Sequence, residues 1–266
     1  MKIKKTLLTF VSVCLAAFLL SNIVTYAVSK KNLLDFFFGE SNRNVTVEKE
    51  MLNKESQKIV VDDYTITLEE ALCEKETQLG YLVFSVKKND GKVEADISKN
   101  GVLNSFGNNR FIFDYEETGS FKQIAKYDGN VLDVYISFEA NDKIFEQSKL
   151  SKCVGITDLK EKRNNEYKRY SFDLKYSEKC KKYKTNEGTL FISPLGCKFI
   201  SSIKNDDVNI KIKMVDNELN ISDFSEAGTK TDNVEEVHYT NMFDELIDIS
   251  EIQEVMLDNK KLIEID

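Results

Sequence analysis

The chain has no tryptophan, one histidine (His238) and one proline (Pro194). Any Ser-His-Asp triad would have to use His238, and the G-x-S-x-G turn that presents such a serine is missing. The H-E-x-x-H and P-loop spacings are absent too. No two cysteines stand in C-x-x-C spacing, so a structural zinc site is not indicated, and no twelve-residue calcium loop occurs. Basic residues are outnumbered, with 37 Lys and Arg against 45 Asp and Glu. A nucleic-acid partner is therefore not expected, because phosphate contacts need clustered cations. The same balance disfavours an anionic lipid surface.

The first 27 residues carry the clearest pattern. Lys2, Lys4 and Lys5 precede an uncharged apolar run over residues 6–20, then a polar break at Ser21 and Asn22, then Thr25, Tyr26 and Ala27. That order is a secretory signal with small residues at its cleavage site, and it predicts cleavage after Ala27 and an exported protein. Left uncleaved, residues 6–28 are long enough to span a bilayer at about 1.5 Å per residue, and would anchor the chain in a membrane. Cys14 is not expected to be lipidated, because Val13 is larger than the residue such processing needs. Removing the segment takes away three lysines and no acid, leaving 34 basic residues against 45 acidic ones, or −11.

Downstream, the chain reads as short strands with turn chemistry between them. Residues 59–61, 64–68, 79–86, 111–113, 131–138, 153–157 and 170–176 are rich in β-branched and aromatic side chains. Asn89, Asp90 and Gly91 form a turn signal, and Asp128 and Gly129 form a second. A lysine-rich loop at 179–184 precedes a second set at 189–193, 198–203, 208–215, 218–221 and 235–239, closed by a hairpin through Asp258 and Asn259. Ile210, Ile212 and Met214 alternate with lysines, which predicts one buried and one wet face. Residues 243–249 read as one helical turn. The 32–40 stretch, with Leu33, Leu34, Phe36, Phe37 and Phe38, reads as a short apolar helix. It would serve as a juxtamembrane stalk, a lid on the first domain, or a membrane-surface anchor. The expected class is all-β, with two sandwiches: a signal or anchor at 1–27, a linker at 28–57, and domains at 58–178 and 179–266. Trypsin should cut first in the 178–187 loop.

Several stretches together resemble the domain-of-unknown-function family 4179 with its companion C-terminal domain. They are Phe37 to Ser41 (F-F-G-E-S), Asp63 to Ala71 (D-Y-T-I-T-L-E-E-A), Ile192 to Gly196 (I-S-P-L-G) and Phe243 to Asp248 (F-D-E-L-I-D), followed by Asp258, Asn259, Lys260 and Lys261. The family is carried by envelope proteins of low-GC Gram-positive bacteria. The resemblance implies two immunoglobulin-like β-sandwiches in tandem. Some members look like the outer part of anti-sigma-factor proteins, but only five residues precede the apolar run here, so a cytoplasmic sigma-binding segment is not expected. The family implies no catalytic residues.

The remaining chemistry is sparse. Cys73, Cys153, Cys180 and Cys197 are read as buried free thiols or as holding at least one bridge, with three pairings open. No local signature pairs any of them with His238 as a nucleophile. The acid doublets Asp62-Asp63, Glu69-Glu70, Glu116-Glu117, Asp206-Asp207 and Glu235-Glu236 read as solvated faces, since adjacent acids on a strand point opposite ways. Sugar platforms often use tryptophan, which is absent. No catalytic, metal or cofactor residues are assigned and no cofactor is expected. The expected function is a non-enzymatic envelope interaction or sensing module that meets another envelope protein or a wall ligand. The alternatives are a carbohydrate binder and, further off, a carboxylate hydrolase.

Overall fold

Alternation of apolar and polar residues sets most of the strands, and the computed structural model describes where they lie. Residues 32–39, 47, 50–114, 119–140, 150–163, 166–204, 207–231 and 234–265 are described. The expected signal segment, Glu116-Glu117 and Asp206 of the Asp206-Asp207 doublet fall outside them. No helix among the described residues is long and apolar enough to cross a membrane.

In chain order the first ten strands are β1 (Gln57–Val61), β2 (Tyr64–Cys73), β3 (Leu79–Lys88), β4 (Ala95–Ile97), β5 (Leu103–Phe106), β6 (Asn109–Phe113), β7 (Ser120–Tyr127), β8 (Val131–Glu139), β9 (Val154–Arg163) and β10 (Glu166–Ser171). They form two antiparallel sheets, ordered β1-β2-β3-β8-β7 and β10-β9-β6-β5-β4, with one apolar core between them. Ten more follow: β11 (Lys181–Lys184), β12 (Gly188–Ser193), β13 (Gly196–Ser201), β14 (Ile210–Met214), β15 (Glu218–Ile221), β16 (Ser225–Thr231), β17 (Val234–Met242), β18 (Ile252–Leu257), β19 (Lys260–Lys261) and β20 (Ile263–Ile265). Their antiparallel sheets run β16-β17-β13-β12-β11-β20 and β15-β14-β18-β19, around a second core. The architecture is all-β, four antiparallel sheets consistent with β-sandwich domains.

The expected turns at Asp128 and Asp258 are present. Asp128 Oδ1 accepts from the amides of Asn130 and Val131, and Gly129 has φ +98°. Asp258 and Asn259 both take positive φ, which suits a tight hairpin. In β2, Tyr64, Ile66 and Leu68 point into the core as the alternation predicts. A bulge between Leu68 and Glu70 then reverses the parity, so that Ala71 and Cys73 point inward and Leu72 outward.

Three expectations are corrected. The 179–184 stretch is not a loop: Lys181–Lys184 is strand β11, paired with β12 on one side and β20 on the other. The helical turn expected over 243–249 is absent from residues 243–248. Helical geometry comes at Ile249–Glu251 as a 3-10 turn capped by Asp248, whose carboxylate takes the Ser250 amide. Residues 172–176 cross between sheets instead of continuing β10.

The short apolar helix is real and sits inside the protein. Helix α1 (Leu33–Phe37) lies on the outer face of the first sheet, with Leu33 and Leu34 at most 1% exposed. Glu70 accepts the Leu33 amide at 2.7 Å, which caps the helix. Phe36 stacks on Tyr135 at 3.7 Å, and Phe37 and Phe38 pack on Tyr81. Leu33, Leu34 and Phe38 are buried against protein, and Phe36 and Phe37 are partly covered. Their burial also explains β3, whose residues 79–86 are buried on both faces: Leu82, Phe84 and Val86 face the core, while Leu79, Tyr81 and Val83 face α1.

Candidate functional site

Several buried polar groups gather at the seam where the first two sheets meet the last two. The cluster holding α1 also takes Leu195, from the turn between β12 and β13, and Leu246. Beside it, Lys198 of β13 is 1% exposed, and its ammonium donates to Gln78 Oε1 at 2.5 Å and to the Ala140 carbonyl at 3.1 Å. The Ser225 hydroxyl donates to the Glu139 carboxylate at 2.8 Å, and Thr77 and Ser193 share a hydroxyl bond at 3.2 Å. Glu74, fully buried, accepts from the Thr77 amide and hydroxyl and from the Glu76 amide. Burial raises its carboxyl pKa, and those three donors pull it back down. The seam is thus built from satisfied hydrogen bonds around an apolar wedge. None of these groups stood out in the sequence, since a buried lysine looks like any other until a fold surrounds it.

The candidates for chemistry are scattered. His238 lies in β17, fully buried, with Nε2 4.0 Å from a Glu236 oxygen. Its neighbours Val237 and Tyr239 face the second core together with Cys197, so the imidazole and the Cys197 thiol lie on opposite faces of one sheet. Cys73 and Cys153 are in the first core, and Cys180 lies near Glu74 and Glu76. All four described cysteines are free. Burial pushes every one of these thiols up, Cys153 to about 12, so they are protonated at neutral pH and poor nucleophiles. The acid doublets do structural work. Asp62 and Asp63 make the β1–β2 turn, Glu69 accepts from the Ser85 hydroxyl, and Glu70 caps α1. Asp207 is exposed and Glu236 lies beside His238; Glu116, Glu117, Asp206 and the Glu235 side chain fall outside the description.

One open cleft of about 470 Å³ lies where β15 and β17 end. Asn220, Asp223, Asn241, Phe243, Asp244 and Glu245 line it, and the Asn241 amide donates to the Asp223 carbonyl at 2.7 Å. Among the described residues no lysine or arginine lines it, and its acidic lining suits a cationic or hydroxyl-rich group. The Phe243 amide donates to the Leu195 carbonyl at 2.9 Å and Met242 packs against the cluster that holds α1, so the cleft borders the seam. Asp244 and Glu245 belong to the F-D-E-L-I-D stretch, which sequence patterning placed in a helical turn.

The fold defines a class of all-β protein made of packed antiparallel sheets. No protein-family model matches the chain, and no curated protein matches it. Among solved structures it is similar to a conserved domain protein from Bacillus anthracis, with a TM-score of 0.41 and 11% sequence identity over 86% of this chain and 84% of that one.

Proposed function

We propose that this chain is an exported, envelope-associated interaction or sensing module without enzymatic activity, built as two immunoglobulin-like sandwiches of the 4179 type. The observation that carries the reading is the seam. Lys198, Glu139 and Thr77 bond across it, and α1 is wedged into its apolar part. Such a chain presents two sandwiches, joined through the seam, to a neighbouring envelope protein. Cleaved after Ala27 it is secreted; uncleaved it is anchored through residues 6–28. The dispersal of His238, the thiols and the acid doublets supports binding over turnover.

A second reading, wall-ligand or carbohydrate binding, is favoured by the 470 Å³ cleft, whose amides and carboxylates beside Phe243 could hold hydroxyl groups. The exposed Tyr127 and Tyr167 do not form a row beside it, since they stand on different sheets. The test is an assay of the purified chain on wall glycan, peptide and ester substrates, with photo-crosslinking groups placed at Tyr127 and Tyr167 in intact cells. No turnover and one recurrent crosslinked envelope protein are expected. Turnover abolished by Asp244→Asn or Glu245→Gln, with the fold intact, would overturn the reading.

A further inference from the structure

Cys73 ends β2 and Cys153 stands immediately before β9, so the two come from opposite sheets of the first sandwich. Both are fully buried in the same apolar core. They also lie at the same end of it. Cys73 pairs with Gly80 at the start of β3, and the Cys153 carbonyl accepts the Asp114 amide just past the end of β6. One crossing segment passes both. The Ser177 amide donates to the Cys73 carbonyl at 2.8 Å, and the adjoining Tyr176 hydroxyl lies 3.5 Å from the Cys153 sulfur. The other two cysteines have no such neighbour: Cys197 is in the second core and Cys180 is beside Glu74 and Glu76. Burial is the main cause of the high Cys73 pKa, and the nearby Cys153 thiol is the next. Neither Cys180 nor Cys197 has another cysteine among its causes.

We propose that Cys73 and Cys153 are the one oxidisable pair of the folded unit and form an inter-sheet disulfide when the chain folds in the presence of a small disulfide as oxidant. One thiolate attacks the oxidant's disulfide, giving a mixed disulfide. The second thiolate then displaces the oxidant's sulfur, so two electrons and two protons leave the pair and the oxidant departs as two thiols. Both sulfurs are sealed in the finished core, so the exchange precedes its closure. The bridge would tie β2 to β9 where the 74–78 seam loop emerges, constraining the unfolded chain over the segment between them. This pairing is a property of the fold and stands apart from the interaction-module reading.

The test uses the full chain, unfolded, reduced and refolded in a mixture of reduced and oxidised glutathione, then alkylated and mapped as peptides. The expected product joins the Cys73 and Cys153 peptides through a bond lost on reduction, with Cys180 and Cys197 alkylated singly. A Cys180→Ser, Cys197→Ala double variant should keep the crosslink, and Cys153→Ser should remove it without creating another. Recovery of Cys73 and Cys153 as separately alkylated peptides from correctly refolded chain would overturn the proposal. So would a bond from Cys73 to Cys180 or Cys197.

Discussion

Lys198 and Gln78 stand 120 positions apart and meet in the seam, where the Lys198 ammonium donates to the Gln78 side-chain carbonyl at 2.5 Å. Gln78 also adopts φ +58°, a left-handed conformation that glycine takes more readily. A hydrogen bond to a buried charge contributes roughly 1.5–3 kcal/mol, so Gln78→Ala should destabilise the protein by about 2 kcal/mol. Gln78→Gly loses the same bond but relieves the backbone and should cost less. Lys198→Met, which removes the charge together with its need for acceptors, should be milder than Gln78→Ala. Urea unfolding of the three variants orders them, and a Lys198→Met more damaging than Gln78→Ala would contradict the assignment.

Gly196 should not tolerate a side chain. A Cβ there would lie 2.2 Å from the Asn241 carbonyl oxygen and 2.5 Å from Leu79 of the first sandwich. Leu79 can turn aside, but the carbonyl belongs to the paired strand β17 and cannot. Gly196→Ala should therefore cost on the order of 1–3 kcal/mol through overpacking. Thermal unfolding checks this, and an unchanged midpoint would rule out the close approach.

Truncating the wedge should loosen the outer face of the first sheet. Leu33→Ala removes a fully buried side chain and should cost about 2–5 kcal/mol. Hydrogen exchange should quicken in β3 and β8 before it does in β14 and β18, because only the first pair lies under α1. Equal quickening in both sandwiches would mean that α1 does not act locally.

Glu74 should give stability a measurable pH dependence. Burial raises its pKa in the folded protein above that of the unfolded chain, so the folded state holds the proton more tightly. Its contribution is then fully present below the unfolded value, near 4.5, and is lost as pH rises through the raised one. Relative to a Glu74→Gln variant, wild type should be most stable near pH 4 and lose ground towards pH 7. A difference that is flat or grows with pH would show that the carboxyl is not destabilised by burial.

Native trypsin should spare Lys181, Lys182 and Lys184. Sequence patterning made this lysine-rich stretch an exposed loop, but strand pairing on both sides withholds the backbone from the protease. Cleavage there ahead of all other sites would show that β11 is detached in solution.

The error over β11 shows where patterning stops. Lys181, Lys182, Tyr183 and Lys184 have one apolar residue among three cations, and only pairing to β12 and to the C-terminal strand β20 makes them a strand. The bulge at Glu69 was equally invisible, because it depends on how β3 meets β2. The helix before the first sandwich was legible from Leu33, Leu34 and the three phenylalanines. What it covers was not.

Local alternation at Tyr64, Ile66 and Leu68, at Ile210, Ile212 and Met214, and the turn residues Asp128, Gly129, Asp258 and Asn259 determined an all-β chain by themselves, since strand pattern and turn chemistry act over a few neighbours. The tertiary structure alone decided that Lys198, Glu74 and His238 are buried, that α1 is a wedge, and that Cys73 and Cys153 share one core. Each depends on contacts between residues far apart in the chain, and burial is a property of what surrounds a side chain.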